Sequence, residues 1–185
     1  MSTKTFACLA FSLLTTLTIL SAQSGATPQL ESLFERPSIH ELDSRSRFFN
    51  FNGMGRVAVP IRVPEGAKGV YYSVSLAPKK ASFKEGPSLE AKLMKLGSES
   101  EMMKNAHTVS LPVSNRKASV YVIQSETHAQ KFETAVHTTY IERCVECKSH
   151  TGYFSNNGQG SYYLGIENIY SMRGIKVQIE AVALY

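Results

Sequence analysis

The chain has 185 residues, of which 43% are hydrophobic and 19% are charged, and its formal net charge is +5. These proportions are typical of a folded globular protein and exclude an intrinsically disordered one. Tryptophan is absent and aspartate occurs once, at Asp43, which argues against oxygen-rich calcium loops. Nucleotide binding has no support because no glycine-rich phosphate motif is present. No basic stripe with stacking aromatic residues is present either, so we expect no nucleic-acid partner.

The first 22 residues have the pattern of a secretory signal peptide. A basic start with Lys4 precedes an uncharged apolar run at residues 6–20, and small residues follow. The run is shorter than the roughly 20 residues that span a bilayer. We therefore predict cleavage before Gln23, no transmembrane segment afterwards, and an extracytoplasmic protein that is secreted, periplasmic or on the cell surface. The ending Leu-Ser-Ala-Gln resembles secretory signals of Bacteroidetes-type bacteria.

Residues 23–47 are predicted to form a polar leader with one helical turn around Leu30 to Phe34, and residues 48–185 to form a single domain. The domain is predicted to begin with strands at 48–51, 56–63 and 70–76. Apolar residues alternate along one face of the second of these: Val57, Val59, Ile61 and Val63. Pro60 indicates that this strand lies at an edge or carries a bulge. In the third, the alternating residues are Val70, Tyr72, Val74 and Leu76.

Residues 88–105 have helical rather than strand spacing. Leu89, Leu93 and Leu96 recur at intervals of three or four residues, and Ser88 is a candidate N-cap. Gly97 and Ser98 divide the stretch, so we predict two short helices inserted between strands.

Strand patterns return at 107–113, 119–124, 136–142, 152–155, 161–168 and 174–184. Residues 156–160 contain Asn-Gly and are predicted to form a hairpin connection. The chain therefore has seven to nine short strands separated by turn signals, and no repeating strand–helix unit. This organisation predicts an antiparallel β-sandwich with a short helical insertion.

Two stretches resemble GOLD-type β-sandwich domains. Residues 163–171 (YLGIENIYS), followed by the alternating residues 175–179, are similar to the end of those domains, and residues 62–66 (RVPEG) with 71–74 are similar to their early part. The resemblance implies a secreted, jelly-roll-like sandwich used for binding. It does not imply cargo-receptor function, because the sequence shows no C-terminal membrane helix or coiled coil. Asn168 and Ser171 would close the last hairpin through side-chain to backbone hydrogen bonds.

Cys144-Val145-Glu146-Cys147 is the most specific local motif. Export favours a disulfide between Cys144 and Cys147. A redox-active pair is an alternative, although this motif usually needs a helix N-terminus in a thioredoxin-like fold. A zinc site is another alternative, in which His150 and His137 complete four ligands.

Tyrosines and lysines are the other candidate binding residues. Two Tyr-Tyr pairs lie on predicted strands, Tyr71–Tyr72 and Tyr162–Tyr163. One member of each pair is expected to face the core, and the other could stack on a sugar or contact a partner protein. Lys79 and Lys80 belong to the densest positive loop and could attract an anionic polymer.

No nucleophile–base–acid arrangement and no carboxylate pair stands out in the sequence, so we expect no enzymatic activity and no cofactor. The sequence favours a secreted, non-enzymatic β-sandwich that binds a protein partner or an anionic cell-envelope polymer. One alternative is an exported redox-active or zinc-binding protein that uses Cys144 and Cys147. Another is a structural component of an envelope assembly.

Overall fold

The computed structural model describes residues 28–44, 55–112, 114–158, 161–170 and 173–185. Within these ranges the chain forms nine strands, three short α-helices and one 3₁₀ turn. The strands are Leu30–Ser32 (β1), Ser38–Leu42 (β2), Arg56–Ile61 (β3), Gly69–Pro78 (β4), Ala118–Gln124 (β5), Glu142–Cys147 (β6), Ser149–Ser155 (β7), Tyr162–Asn168 (β8) and Ile175–Leu184 (β9). The helices are Leu89–Met94 (α1), Glu99–Asn105 (α2) and Glu126–Glu133 (α3), and the 3₁₀ turn is Ala106–Thr108. The predicted signal peptide and the predicted strand at 48–51 lie outside the described residues.

The strands build two antiparallel sheets. Sheet 1 has the order β1-β9-β4-β7, with β2 also paired to β9, and sheet 2 has the order β3-β8-β5-β6. The sheets pack face to face, which confirms the predicted β-sandwich. The predicted edge position of Pro60 is also confirmed, because β3 is an edge strand of sheet 2. Two residues earlier, the Ala58 backbone N–H donates to Glu133 instead of to β8, so Pro60 stands where a strand N–H has no partner in the sheet.

The main core lies between the sheets, and most of it consists of alternate residues of the longer strands, as the sequence pattern predicts. β4 contributes Val70, Tyr72, Val74 and Leu76, and β9 contributes Ile175, Val177, Ile179 and Ala181. Burying one such aliphatic side chain stabilises the fold by about 1.5–3 kcal/mol. The residues that alternate with these, such as Tyr71 of β4 and Glu180 of β9, point to the outer face of sheet 1.

Helices cover part of both outer faces. On sheet 1, residues of α1 and α2 pack against outward residues of β4 and β9: Leu89, Leu93 and Met102 against Tyr71, Val182 and Leu184. On sheet 2, Ala129 and Phe132 of α3 pack against Ile123. This covering explains why Tyr71, on the outer face of β4, is fully buried.

The helical insertion forms as predicted because each helix has a serine cap. Ser88 Oγ accepts a hydrogen bond from the Ala91 backbone N–H at 3.2 Å, and Ser98 Oγ accepts one from Glu101 at 3.4 Å. Gly97, with φ of +90°, lies between the two helices. A glycine takes this left-handed conformation without steric cost, so the chain turns here.

The predicted helical turn around Leu30 to Phe34 was wrong. Leu30–Ser32 pairs with residues 182–184 of β9, and Ser38–Leu42 continues along the same strand at residues 175–179. The polar segment that the sequence analysis set apart as a leader therefore supplies an edge of sheet 1. An edge strand is exposed to solvent on one side, and this accounts for its polar composition.

Two predicted strands do not form. After α2, the described residues 107–112 of the first predicted strand form the end of the 3₁₀ turn and irregular chain, and the described residues 136–140 of the second are irregular as well. α3 was missed because it buries only Ala129 and Phe132. Two apolar residues three positions apart are too few to show a helical period.

Two connections predicted as hairpins instead cross between the layers. β7 belongs to sheet 1 and β8 to sheet 2, while β9 returns to sheet 1. Gly158 has the positive φ expected at an Asn-Gly turn, +71°. The turn residues set the local backbone, but the burial of each strand decides which sheet it joins.

Candidate functional site

The cysteine pair lies on a β-bulge of β6, at an edge of sheet 2. Cys144 pairs with Val120 and Cys147 pairs with Ala118, so β6 has one more residue than β5 over this interval. In a regular strand, residues three positions apart face opposite sides. The extra residue returns Cys147 to the side of Cys144, facing the core with Ala118 and Val120. Glu146, with φ of +55°, provides the left-handed step.

The two cysteines lie at disulfide distance, with Cα atoms 6.0 Å apart. This is the pairing that the sequence predicts. Glu142, at the start of β6, pairs with Val122, which is also a core residue. Glu142, Cys144 and Cys147 therefore all face the interior of the sandwich at its edge.

His150 faces the same interior from the other sheet. It lies on β7 opposite Val74, a core residue of β4. Its Nε2 atom is 3.2 Å from the Tyr72 hydroxyl oxygen and 3.6 Å from Glu142 Oε1. One ring nitrogen of His150 and the two cysteine sulfurs lie within 4.8 Å of one another. We call Glu142, Cys144, Cys147 and His150 the edge cluster.

Tyr72 forms the buried floor of the edge cluster. Burial raises the pKa of Tyr72 well above its usual range, and the negative charge of Glu142 and a hydrogen bond to it raise the pKa further. Tyr72 therefore keeps its proton at neutral pH and can donate to its neighbours. The side chains of His150 and Glu142 are 19% and 33% exposed, so water reaches the cluster from one side.

Neither His137, the predicted fourth zinc ligand, nor Glu142 belongs to the group of mutually close ligand atoms formed by Cys144, Cys147 and His150. His137 is exposed and lies in the irregular segment before β6. The proposal depended on a strand at 136–142 that would carry His137 towards the cysteines, and that strand does not form. Glu142 lies beside His150 instead, and no sequence pattern indicated this residue.

Three of the four tyrosines proposed as binding residues are buried. Tyr72 and Tyr162 belong to the core between the sheets, and Tyr71 lies under α1 and α2 on the outer face of sheet 1. Tyr163 is partly buried beside α3. The alternation placed the members of each pair on opposite faces, but helices cover the outward rings. Tyr71 is therefore not available to a ligand.

Lys79 and Lys80, proposed as a site for an anionic polymer, have different environments. Lys79 Nζ lies 2.5 Å from Asp43 Oδ1. That hydrogen bond and the charge of Asp43 raise the pKa of Lys79. Lys80 is exposed. The ion pair ties Lys79 to the segment after β2, so Lys80 is the more accessible cation of the two.

Asn168 is fully buried and bonds three backbone groups. Its Nδ2 atom donates to the carbonyl oxygens of Asp43 and Arg173, each at 2.7 Å, and its Oδ1 atom accepts from the Tyr170 N–H at 3.0 Å. Asn168 therefore forms the predicted side-chain to backbone hydrogen bonds. They stabilise the connection from β8 in sheet 2 to β9 in sheet 1, which is not a hairpin. Ser171 lies outside the described residues.

A groove of about 710 Å³ lies on the outer face of sheet 1. Its floor consists of outward side chains of β9 and β4: Lys176, Gln178, Glu180 and Ser75. Its walls come from residues 34–37 and from the loop at 82–88. The apolar wall residues include Phe34, Ile39, Phe83 and three prolines, Pro37, Pro87 and Pro112.

The charged groups on the groove floor have partners within the fold. Lys176 Nζ is 3.4 Å from Glu41 Oε1. Glu180 Oε2 accepts a hydrogen bond from the Leu89 N–H at the start of α1, at 2.7 Å. The wall residues carry both signs of charge: Arg36, Lys84 and Lys92 are cationic, and Glu35 and Glu85 are anionic. The groove thus combines a polar floor and apolar walls with mixed charge.

The groove was not predicted from the sequence. The alternation of β9 indicates that Lys176, Gln178 and Glu180 face away from the core, and this was the available signal. It cannot show that two loops distant in sequence rise beside that face. Phe83 was overlooked because its loop was described only by its lysines.

The helices of the described residues are short, and none has the length and apolar character needed to cross a membrane. Comparison of the chain with protein-family models and with curated proteins found no match.

Proposed function

We propose that this chain is an exported, non-enzymatic β-sandwich binding module, and that the groove on sheet 1 holds its partner. The partner is an extended segment of a cell-envelope polymer or of another protein. The observation that carries the proposal is the groove itself, with its polar strand floor between apolar loop walls. Small-molecule and polymer sites have this composition, in which apolar walls supply contact area and a few polar groups orient the ligand.

The size of the groove supports this role. Ligand sites in proteins typically measure about 300–1,000 Å³, and this groove measures about 710 Å³. Phe34 and Phe83 both line the groove, one on each loop. Aromatic rings in such positions can pack against a sugar face or an apolar side chain.

The chemistry of the lining favours binding over catalysis. The described residues that line the groove include no histidine and no cysteine. Glu180 bonds the start of α1 and Lys176 pairs with Glu41, so the charged floor groups have structural roles. Gln178 and Ser75 add neutral hydrogen-bonding groups to the same floor. These groups suit the hydroxyl or amide groups of an uncharged, extended ligand.

Filling the groove tests the proposal. Gln178→Trp places a large side chain on the groove floor, and Gln130→Trp places the same side chain on the exposed face of α3 as the matched control. The purified wild type and both variants are applied to an array of cell-envelope glycans and an array of random peptides. We expect the wild type and Gln130→Trp to bind the same probes and Gln178→Trp to lose them. Equal binding by all three proteins would contradict the proposal.

A further inference from the structure

We propose that the edge cluster is a redox-controlled zinc site: with both cysteines reduced, Cys144, Cys147 and His150 bind one Zn²⁺ ion and Glu142 completes the tetrahedron. The disulfide and the zinc complex are then two alternative states of the same site. This function is independent of the groove, which lies on the outer face of sheet 1, while the edge cluster faces the sandwich interior.

The bulge of β6 is the feature that makes a chelating pair. Cys144 and Cys147 face the same side only because one extra residue stands between their partners Val120 and Ala118. The bulge belongs to the backbone pairing of β5 and β6, so it can hold both sulfurs on one side after the disulfide is reduced. A CxxC pair on one face supplies two of the thiolates that structural zinc sites use.

The other two ligands come from positions that the sandwich already holds. Glu142 begins the same strand on the same face, and His150 reaches the cluster from the facing edge of sheet 1. Ligand atoms around a tetrahedral zinc lie about 3.3–3.8 Å apart, given Zn–S near 2.3 Å and Zn–N and Zn–O near 2.1 Å. The 3.6 Å between His150 Nε2 and Glu142 Oε1 falls in this range. The atoms of the Cys–Cys–His group lie within 4.8 Å of one another, and Glu142 is not part of that group. The Glu142 side chain therefore has to turn towards the sulfurs when the ion binds.

The mixed donor set favours zinc over softer or harder metals. Two thiolates disfavour magnesium and calcium, which prefer oxygen ligands, and a carboxylate disfavours Cu(I).

Conversion of the zinc complex to the disulfide requires only a small-molecule disulfide as the oxidant and no protein partner. A small-molecule disulfide takes two electrons from the two thiolates and becomes two thiols, for which it takes up two protons. The bond between Cys144 and Cys147 forms and the disulfide bond of the small molecule breaks. Zinc does not change its oxidation state and leaves as Zn²⁺, because only the thiolate form binds it.

Metal titration of the full chain tests the proposal. The protein is reduced with a phosphine, freed of reductant without oxygen, and titrated with Zn²⁺ and with Co²⁺. We expect one ion per chain, with cobalt giving the visible bands of a tetrahedral site and a thiolate charge-transfer band. The oxidised protein should bind neither ion at that stoichiometry. Absence of stoichiometric binding by the reduced protein would overturn the proposal.

Variants distinguish zinc binding by the whole edge cluster from zinc binding by the two cysteines alone. His150→Ala and Cys144→Ser should each weaken zinc binding by more than the roughly 10–100-fold that follows loss of a group hydrogen-bonded to a ligand. His137→Ala is the matched control, since His137 lies outside the cluster, and it should bind as the wild type does. Circular dichroism checks the fold of each variant. Unchanged affinity in His150→Ala, or an equal loss in His137→Ala, would overturn the assignment. Unchanged affinity and unchanged cobalt bands in Glu142→Gln would overturn the role of Glu142.

Discussion

Arg56 and Glu167 form an ion pair across the neighbouring strands β3 and β8, with Arg56 Nη2 2.8 Å from Glu167 Oε1. Glu167 is buried, with 6% of its surface exposed. Arg56 also donates from Nη1 to the Phe132 backbone carbonyl at 3.2 Å, and its guanidinium lies over the Phe132 ring. One side chain therefore joins the outer face of sheet 2 to the end of α3.

Arg56→Met should lower the free energy of unfolding by about 3 kcal/mol. This is the low end of the cost of removing one partner from a buried ion pair, since Arg56 is partly exposed. Urea unfolding measures the change. The control is Lys117→Met, because Lys117 and Glu146 form an exposed pair whose loss should cost less than about 1 kcal/mol. Equal losses in the two variants would contradict the structural role of Arg56.

Gly152→Ala should destabilise the edge of sheet 1 by about 1–3 kcal/mol, the usual cost of overpacking a filled core. Gly152 lies opposite Tyr72, and a Cβ atom on it would lie 2.5 Å from Tyr72 Cζ. The buried ring has little room to move. Gly86→Ala is the control, because a Cβ there meets nothing within 4 Å. Thermal unfolding of both variants checks the prediction, and a Gly152→Ala protein as stable as Gly86→Ala would refute it.

Tyr71→Phe should increase stability at neutral pH by about 1 kcal/mol or more. The Tyr71 hydroxyl is buried and has no hydrogen-bond partner among the described residues. A buried polar group without a partner costs about 1–3 kcal/mol, and phenylalanine removes that group while keeping the ring. Tyr72→Phe is the contrasting variant, since its hydroxyl contacts His150, and it should lower stability. Urea midpoints at pH 7 measure both, and a loss of stability in Tyr71→Phe would contradict the prediction.

The stability of the protein should fall in alkaline solution, and Tyr71 should account for part of the fall. Burial, with the charges of Tyr153 and Glu99, raises the pKa of Tyr71 to about 12. The ordinary value of about 10 applies to the unfolded chain. The folded state therefore holds more protons between pH 10 and 12, so its advantage is complete below pH 10 and declines across that window.

Urea midpoints between pH 8 and pH 12 measure this decline. Tyr71→Phe should make it shallower. Tyr140→Phe, which changes an exposed tyrosine, should leave it as in the wild type. The same slope in all three proteins would show that Tyr71 does not titrate differently in the folded state.

Asn168→Ala should lower the free energy of unfolding by roughly 3 kcal/mol, because buried backbone groups of three residues lose their partner. Asn168→Asp separates the contributions: a carboxylate still accepts from Tyr170 but cannot donate to Asp43 or Arg173. We expect it to lose most of the stability lost by the alanine variant. Asn105→Ala is the control, since its side chain bonds Glu101 on an exposed helix face. Chemical unfolding curves of the three proteins give the comparison, and an Asn168→Asp protein as stable as the wild type would contradict it.

Much of the sandwich could be predicted because its signals are local. The alternating residues of β4 and β9 identified the inward faces correctly, since a strand turns successive side chains to opposite sides whatever its partner is. Ser88 and Gly97 located α1 and α2, because caps and left-handed turns depend on a few neighbouring residues. β1 and β2 were missed because their pairing with β9 depends on residues more than 130 positions away and their polar composition shows no period.

The candidate sites were likewise predictable from the sequence only in part. The sequence alone determined that the protein has two closely spaced cysteines with a histidine three residues later, on a chain built of short alternating strands. Contacts between distant segments set the rest: a bulge turns both sulfurs inward, Glu142 and not His137 lies beside His150, and helices bury Tyr71. The same contacts make the polar face of β9 the floor of a groove. The reason is physical: alternation and caps act within a few residues, whereas strand register, sheet choice and helix covering depend on contacts between distant segments, which form only when the whole core is buried.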